Sequence, residues 1–125
     1  MQTKPFSIRA RLLSFKFAVD GLRRFFREEH NARVHGVATI LVVIAARFFS
    51  VTLNEWIALL LATGFVWSAE IFNTAIEKIM DRESTAYDRQ IGYIKDLAAA
   101  AVLIAAITAI CIGSIVFIPK LNSLW

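Results

Sequence analysis

From Leu97 to Ile118 the chain runs for 22 residues without a charge. As an α-helix this stretch is about 33 Å long, enough to cross a hydrocarbon core of about 30 Å. The rest of the chain offers no soluble body to bury it. Of the 125 residues, 58% are hydrophobic and 19% charged, and a globule this small buries only about two thirds of the surface its unfolded chain exposes. A bilayer must cover the remainder. At about 20 residues per crossing there is room for three or four passes and no further soluble domain, so the chain reads as one integral membrane domain, 1–125. The single cysteine, Cys111, excludes an internal disulfide, and no Cys/His cluster has zinc spacing.

Two further crossings precede the apolar run. Residues 34–51 are apolar apart from His35, Arg47 and a few small polar side chains, and with Arg47 snorkelling they read as a first spanning helix. Asn54 and Glu55 mark a connector. Trp56 then opens an uncharged stretch to Ala69, which continues into the polar-spiked segment Glu70 to Asp81. Together they predict a second helix over about 55–81, too long for the hydrocarbon alone and protruding near Lys78 and Asp81. Residues 82–95 read as a polar turn, and the third helix, about 97–118, is expected to stop at Pro119 and Lys120.

The charge of +4 is unevenly placed. Lys4, Arg9, Arg11, Lys16, Arg23, Arg24, Arg27 and Arg33 fall in residues 1–33, against Asp20, Glu28 and Glu29. Ile8, Leu12, Phe15, Val19, Leu22 and Phe26 share one face of a helical wheel there, with the basic residues opposite. That is an amphipathic helix lying on anionic headgroups, followed by a polar connector, and it argues against nucleic acid as the partner. Charges interrupt the N-terminus too often for a cleavable signal peptide, so this helix is expected to be retained. The positive-inside rule puts the N-terminus and the 82–95 segment in the cytoplasm and the C-terminus outside.

The chemistry concentrates on one stripe. Glu70, Asn73, Glu77 and Asp81 fall within about 80° of one another on the second helix, while Phe72, Ala75, Ile76 and Ile79 lie opposite. An ionised carboxylate in hydrocarbon costs several kcal/mol, about 2.5–3.5 on insertion scales, so such residues need a task or a partner. The bland alternative is that Glu77 and Asp81 sit at the headgroups beside Lys78 and Arg82, which leaves Glu70 unexplained. Lys95, with Asp96 at the start of the third helix, is poorly suited to a positive helix end and points to an anionic ligand or a pairing with the acidic stripe, the bland alternative being a simple interfacial anchor. Glu28, Glu29, His30, Asn31, Arg33 and His35 form a polar cluster at the depth expected for Glu77, where carboxylates from two helices can share a hard cation such as Mg2+. Neither histidine has a partner at ligand spacing, and the five glycines build no P-loop. The small residues Ala98 to Ala101, Ala105, Ala106 and Ala109 allow close helix approach.

The sequence Glu70-Ile-Phe-Asn73-Thr-Ala-Ile-Glu77 with Asp81, followed by Lys95-Asp96-Leu-Ala-Ala-Ala-Ala-Val-Leu, resembles the prokaryotic diacylglycerol kinase family, which includes undecaprenol kinases. The likeness runs from about Ser14 to Leu121. Its N-terminal stretches, Ser14 to Gly21 and Glu29 to His35, are more similar to the undecaprenol kinase branch. The resemblance implies a multi-pass homotrimer of the bacterial inner membrane, with active sites between subunits at the cytoplasmic interface. It implies Glu70 as general base, Asn73 as the residue ordering the site, and Glu29 and Glu77 as Mg2+ ligands. Contacts to ATP would come from Phe17, Glu29, Glu77, Ala86, Tyr87, Asp88, Lys95 and Asp96. Contacts to the membrane lipid alcohol would come from Asn31, Ala32, Arg33, Val34, His35, Trp56 and Glu70. The chain departs from relatives that present arginine at position 10 and tyrosine at 17, having Ala10 and Phe17, with Arg9 or Arg11 as substitutes for the former. Diacylglycerol and undecaprenol both remain open as acceptors.

Two readings compete with a lipid kinase. In a small proton-coupled transporter, Glu70 and Glu77 would be relay carboxylates, which leaves Lys95-Asp96, Glu28/Glu29 and the surface helix idle. A non-catalytic scaffold would account for the alanines and little else.

Overall fold

The computed structural model describes residues 4–83 and 88–125. These form four helices: α1 (Ile8–Glu28), α2 (His30–Phe48), α3 (Leu53–Glu83) and α4 (Arg89–Asn122). The helices α2, α3 and α4 are each long and apolar enough to cross a membrane. The chain divides into two compact units, residues 1–33 and 34–125.

In the first unit α1 starts at Ser7, whose extended backbone and side-chain oxygen, accepting from the Ala10 N–H at 3.3 Å, make an N-cap. Ion pairs one turn apart support it, with Arg24 donating to Glu28 at 2.7 Å. The helix stops where Glu29 turns extended (φ −105°, ψ 122°) and its N–H closes on the Phe25 carbonyl. The guanidinium of Arg33 then donates to the carbonyls of Phe26, at 3.2 Å, and Arg27. These are carbonyls of the last turn that the helix itself leaves unsatisfied.

In the second unit the 34–48 part of α2 runs antiparallel to α3, and α3 runs antiparallel to α4. The α3–α4 hairpin is tied by ion pairs near both ends, Glu55–Lys120 at 3.1 Å and Asp81–Lys95 at 2.9 Å. Around the Glu55 end, Ala46, Val51, Leu59 and Val116 are buried together, flanked by Val42, Phe49, Trp56, Ile112 and Phe117. Much apolar surface stays exposed along the helices, including Leu60, Leu61, Phe72, Leu103 and Ile110. In a spanning bundle such surface faces lipid or further protein.

The α2–α3 turn is built from two capping devices. Ser50 adopts φ 51°, the left-handed conformation usual for glycine at this place, while the Val51 N–H reaches the Ala46 carbonyl at 3.1 Å and the Ser50 N–H that of Arg47 at 3.3 Å. Thr52 and Glu55 then cap each other. The Thr52 N–H donates to Glu55 Oε2 at 2.8 Å and the Glu55 N–H to Thr52 Oγ1 at 3.2 Å.

Three sequence expectations are corrected. Asn54 and Glu55 are not a connector but lie in the first turn of α3, because Glu55 serves the cap. The 82–95 segment is not a turn throughout, since α3 continues to Glu83 and α4 begins at Arg89. Its polarity reflects helix ends that leave the hydrocarbon, where α-helix and water are compatible; Asp88 caps α4, accepting from the N–H groups of Gln90 and Ile91. Pro119 does not end α4, which runs on to Asn122. Proline's φ suits a helix and its missing N–H forfeits one bond, and only three residues of α4 follow it, so little helix remains to be disrupted.

Candidate active site

The α3 stripe turns toward its neighbours. Glu70 is the buried charged residue of the described chain, its side chain only 5% exposed. Its Oε1 lies 2.7 Å from Nε2 of His35 on α2. The contact is short, and in the His35 tautomer that carries its proton on Nε2 the imidazole donates to this carboxylate oxygen. A second polar link lies beside it. The Trp67 indole N–H donates to Thr39 Oγ1 at 3.0 Å, and the Thr39 hydroxyl donates to the His35 carbonyl at 2.7 Å. The Trp67 ring meets the His35 ring edge-on, centroids 6.2 Å apart. Trp67 and Glu70 are three residues apart on one helix, hence on one face, and together they hold the imidazole from two sides.

One turn further, Asn73 Nδ2 donates to Glu77 Oε1 at 3.4 Å, a long bond. Asn73 Oδ1 is buried without a hydrogen-bond partner among the described residues, an arrangement that leaves a polar atom available to a ligand. Asn73 also borders an apolar groove of about 400 Å3 between α3 and α4, walled by Phe65, Phe72, Ile76 and Ala101. At the end of the stripe Lys95 on α4 pairs with Asp81. Of the three partners the sequence left open for this lysine, an anionic ligand, the acidic stripe or the interface alone, the structure supplies the stripe. Side chains at this pair are 38% and 65% exposed for Lys95 and Asp81, so the pair stays accessible.

The remaining expected residues are distributed. Asp96 is exposed next to Lys95, and Val34 is exposed one residue before His35. Asp88 caps α4; Ala86 and Tyr87 lie outside the described residues. Trp56 packs at the opposite end of α3, beside the apolar cluster around Leu59, and does not join the stripe. Phe17, Glu29, Asn31, Ala32 and Arg33 belong to the first unit. There Phe17 is exposed, Glu29 forms the C-cap of α1, and Arg33 is engaged with the carbonyls of α1. Sequence reasoning placed His35 among lipid contacts and missed its bond to Glu70. No spacing rule could have found it, because the two residues are 35 apart on different helices.

The model of the family described as prokaryotic diacylglycerol kinase matches residues 16–117. The chain belongs to this family. It is similar to the undecaprenol kinase of Bacillus subtilis, at 33% identity over 108 residues, covering 86% of this chain and 88% of that protein. It is also similar to the diacylglycerol kinase of Escherichia coli K12, at 38% identity over 90 residues, with 72% and 74% covered. A third relative is the diacylglycerol kinase of Synechocystis, at 33% identity over 114 residues, with 90% of this chain but 65% of that longer protein covered. Membership makes the chain an enzyme of the lipid kinase class, and its three apolar helices fit a membrane protein.

Proposed function

We propose that this chain transfers the γ-phosphoryl group of ATP to the hydroxyl of a membrane lipid alcohol, diacylglycerol or undecaprenol, with Glu70 as general base. The observation that carries the reading is a carboxylate buried in a spanning helix yet held by a donor from a second helix. Burial this expensive is tolerated where the group has work to do.

In the reaction Glu70 takes the proton of the acceptor hydroxyl as its oxygen bonds to the γ-phosphorus, and the bond from that phosphorus to the bridging oxygen of ADP breaks. Phosphoryl transfer needs little covalent help, so the remaining residues position reactants and offset charge. Lys95 would exchange Asp81 for a phosphate, which is inexpensive because an exposed ion pair contributes little. Asp96 and Asp88 with Ala86, Tyr87 and Phe17 would contact the nucleotide. Hard oxygen donors suit Mg2+, and Glu77 with the orphaned Asn73 Oδ1 beside it fits that requirement. Glu29 and Glu77 would hold the ion, which when bound neutralises the β- and γ-phosphate oxygens.

Asn31 to Val34 and residues near Trp56 would guide the lipid, and the groove beside Asn73 offers an apolar wall for its tail. The first unit's helix α1, with Ile8, Leu12 and Phe15 exposed, would lie on the headgroups of the cytoplasmic leaflet of the inner membrane, its basic residues toward anionic lipid. Three copies would assemble, with sites between subunits. The test is incorporation of radiolabel from γ-labelled Mg-ATP into extracted lipid, with both alcohols competing in one reaction. The labelled product names the acceptor, and unlabelled lipid from a folded enzyme refutes the reading.

A further inference from the structure

Glu70 has two carboxylate oxygens, and the structure treats them differently. Oε1 is bonded to His35 Nε2, whereas Oε2 has no hydrogen-bond partner among the described residues. A glutamate side chain turns about three bonds, and its carboxylate has two equivalent oxygens, so without a donor neither its direction nor the identity of the basic oxygen is fixed. The donor here is itself restrained. Its ring meets Trp67, its backbone carbonyl accepts from Thr39, and Thr39 accepts from Trp67. This is a closed loop of contacts between α2 and α3, formed within residues 34–125.

From this geometry we infer that His35 is a positioning residue for the general base: its Nε2–H immobilises Oε1 so that Oε2 faces the acceptor hydroxyl and receives its proton. The inference rests on Glu70 being the base. It gives His35 a task other than contact with lipid. His35 acts through Glu70 and touches neither phosphate nor acceptor. Because misplacement of a reacting group by about 1 Å lowers rates on the order of 100-fold, the effect belongs in kcat.

The experiment measures kcat and KM for label transfer with the full chain in mixed micelles, for His35→Ala, His35→Gln, Glu70→Gln and the double variant Glu70→Gln with His35→Ala. For His35→Ala the expected result is a kcat lower by about 100-fold, with KM for ATP and lipid unchanged. His35→Gln, which retains an N–H donor of similar reach, restores most of that loss. In the Glu70→Gln background, removing His35 lowers the residual rate no further, because the group it served is gone. Should His35→Ala fail to fold, His35→Asn replaces it; its amide is one carbon shorter and its kcat must fall while that of His35→Gln does not. A raised lipid KM at unchanged kcat, or an equal loss with and without Glu70, overturns the positioning role. Parental activity in Glu70→Gln overturns instead the assignment of the base, so the two failures are distinct.

Discussion

Two acid–base pairs lie on the same stripe of α3, and they are built in opposite ways. Glu70–His35 is nearly closed to solvent on the carboxylate side, at 5% exposure, and braced by Trp67 and Thr39. Asp81–Lys95 is open, with side chains 65% and 38% exposed. A charge in a low-dielectric setting interacts strongly with whatever fixed dipole faces it, while a charge in water is screened and readily exchanged. A group that must hold one direction through a chemical step needs the first setting; a group that must release one anion to grip another needs the second. The stripe thus grades from a buried, braced pair to an open, exchangeable one within a few turns, as the proposed base and phosphate contact would each require.

Breaking the closed pair should have the largest effect. Glu70→Gln keeps shape and should lower label transfer by about 100- to 10,000-fold, without changing assembly on size-exclusion chromatography; unchanged activity would remove the base. Next comes the open pair's cation. Lys95→Ala should raise KM for ATP by about 10-fold or more, the loss of one charge-assisted contact, while kcat changes less. An equal fall of kcat at constant KM would place Lys95 in the chemical step instead. At the far end of the hairpin, Thr52→Ala removes one half of the reciprocal cap and should cost about 1 kcal/mol of stability, measured by SDS titration in mixed micelles, with the specific rate at parental level. Ser50→Gly should stabilise by about 1 kcal/mol, since glycine adopts φ 51° without strain. The smallest effect belongs to Asp81→Asn, below about 0.5 kcal/mol in stability. It should leave KM for ATP equal or lower, because Lys95 loses a competitor for phosphate. A destabilisation as large as that of a buried pair would erase the contrast between the two ends.

The sequence made the stripe legible because helical periodicity alone aligns Glu70, Asn73, Glu77 and Asp81, and hydrocarbon makes their presence costly. It also singled out Lys95 as ill placed at a positive helix end, without choosing between an anion and the interface as its reason. What it could not disclose were the tertiary partners. His35 and Glu70 meet only because α2 and α3 pack antiparallel, and a histidine near a helix start has several uses. The errors along the backbone share another cause. Polarity was read as loop over 82–95, but in a membrane protein polarity reports depth first and backbone conformation second, and caps such as Asp88 and Thr52 with Glu55 decide where helices begin.

The ion pairs that tie the α3–α4 hairpin also act as a ruler. From Glu55 to Asp81 the helix is about 39 Å long, more than a hydrocarbon thickness of about 30 Å, so both pairs reach the polar layers and the hairpin cannot slide far along the membrane normal. With Glu55 anchored at one surface, Glu70 stands about 22 Å up the helix, several ångströms short of the opposite boundary. A lipid reaching that level must bring its polar end beneath the surface. An alcohol can make that descent with a single hydroxyl to dehydrate, whereas a charged group that comes as deep must find donors and cations in the protein to replace its water.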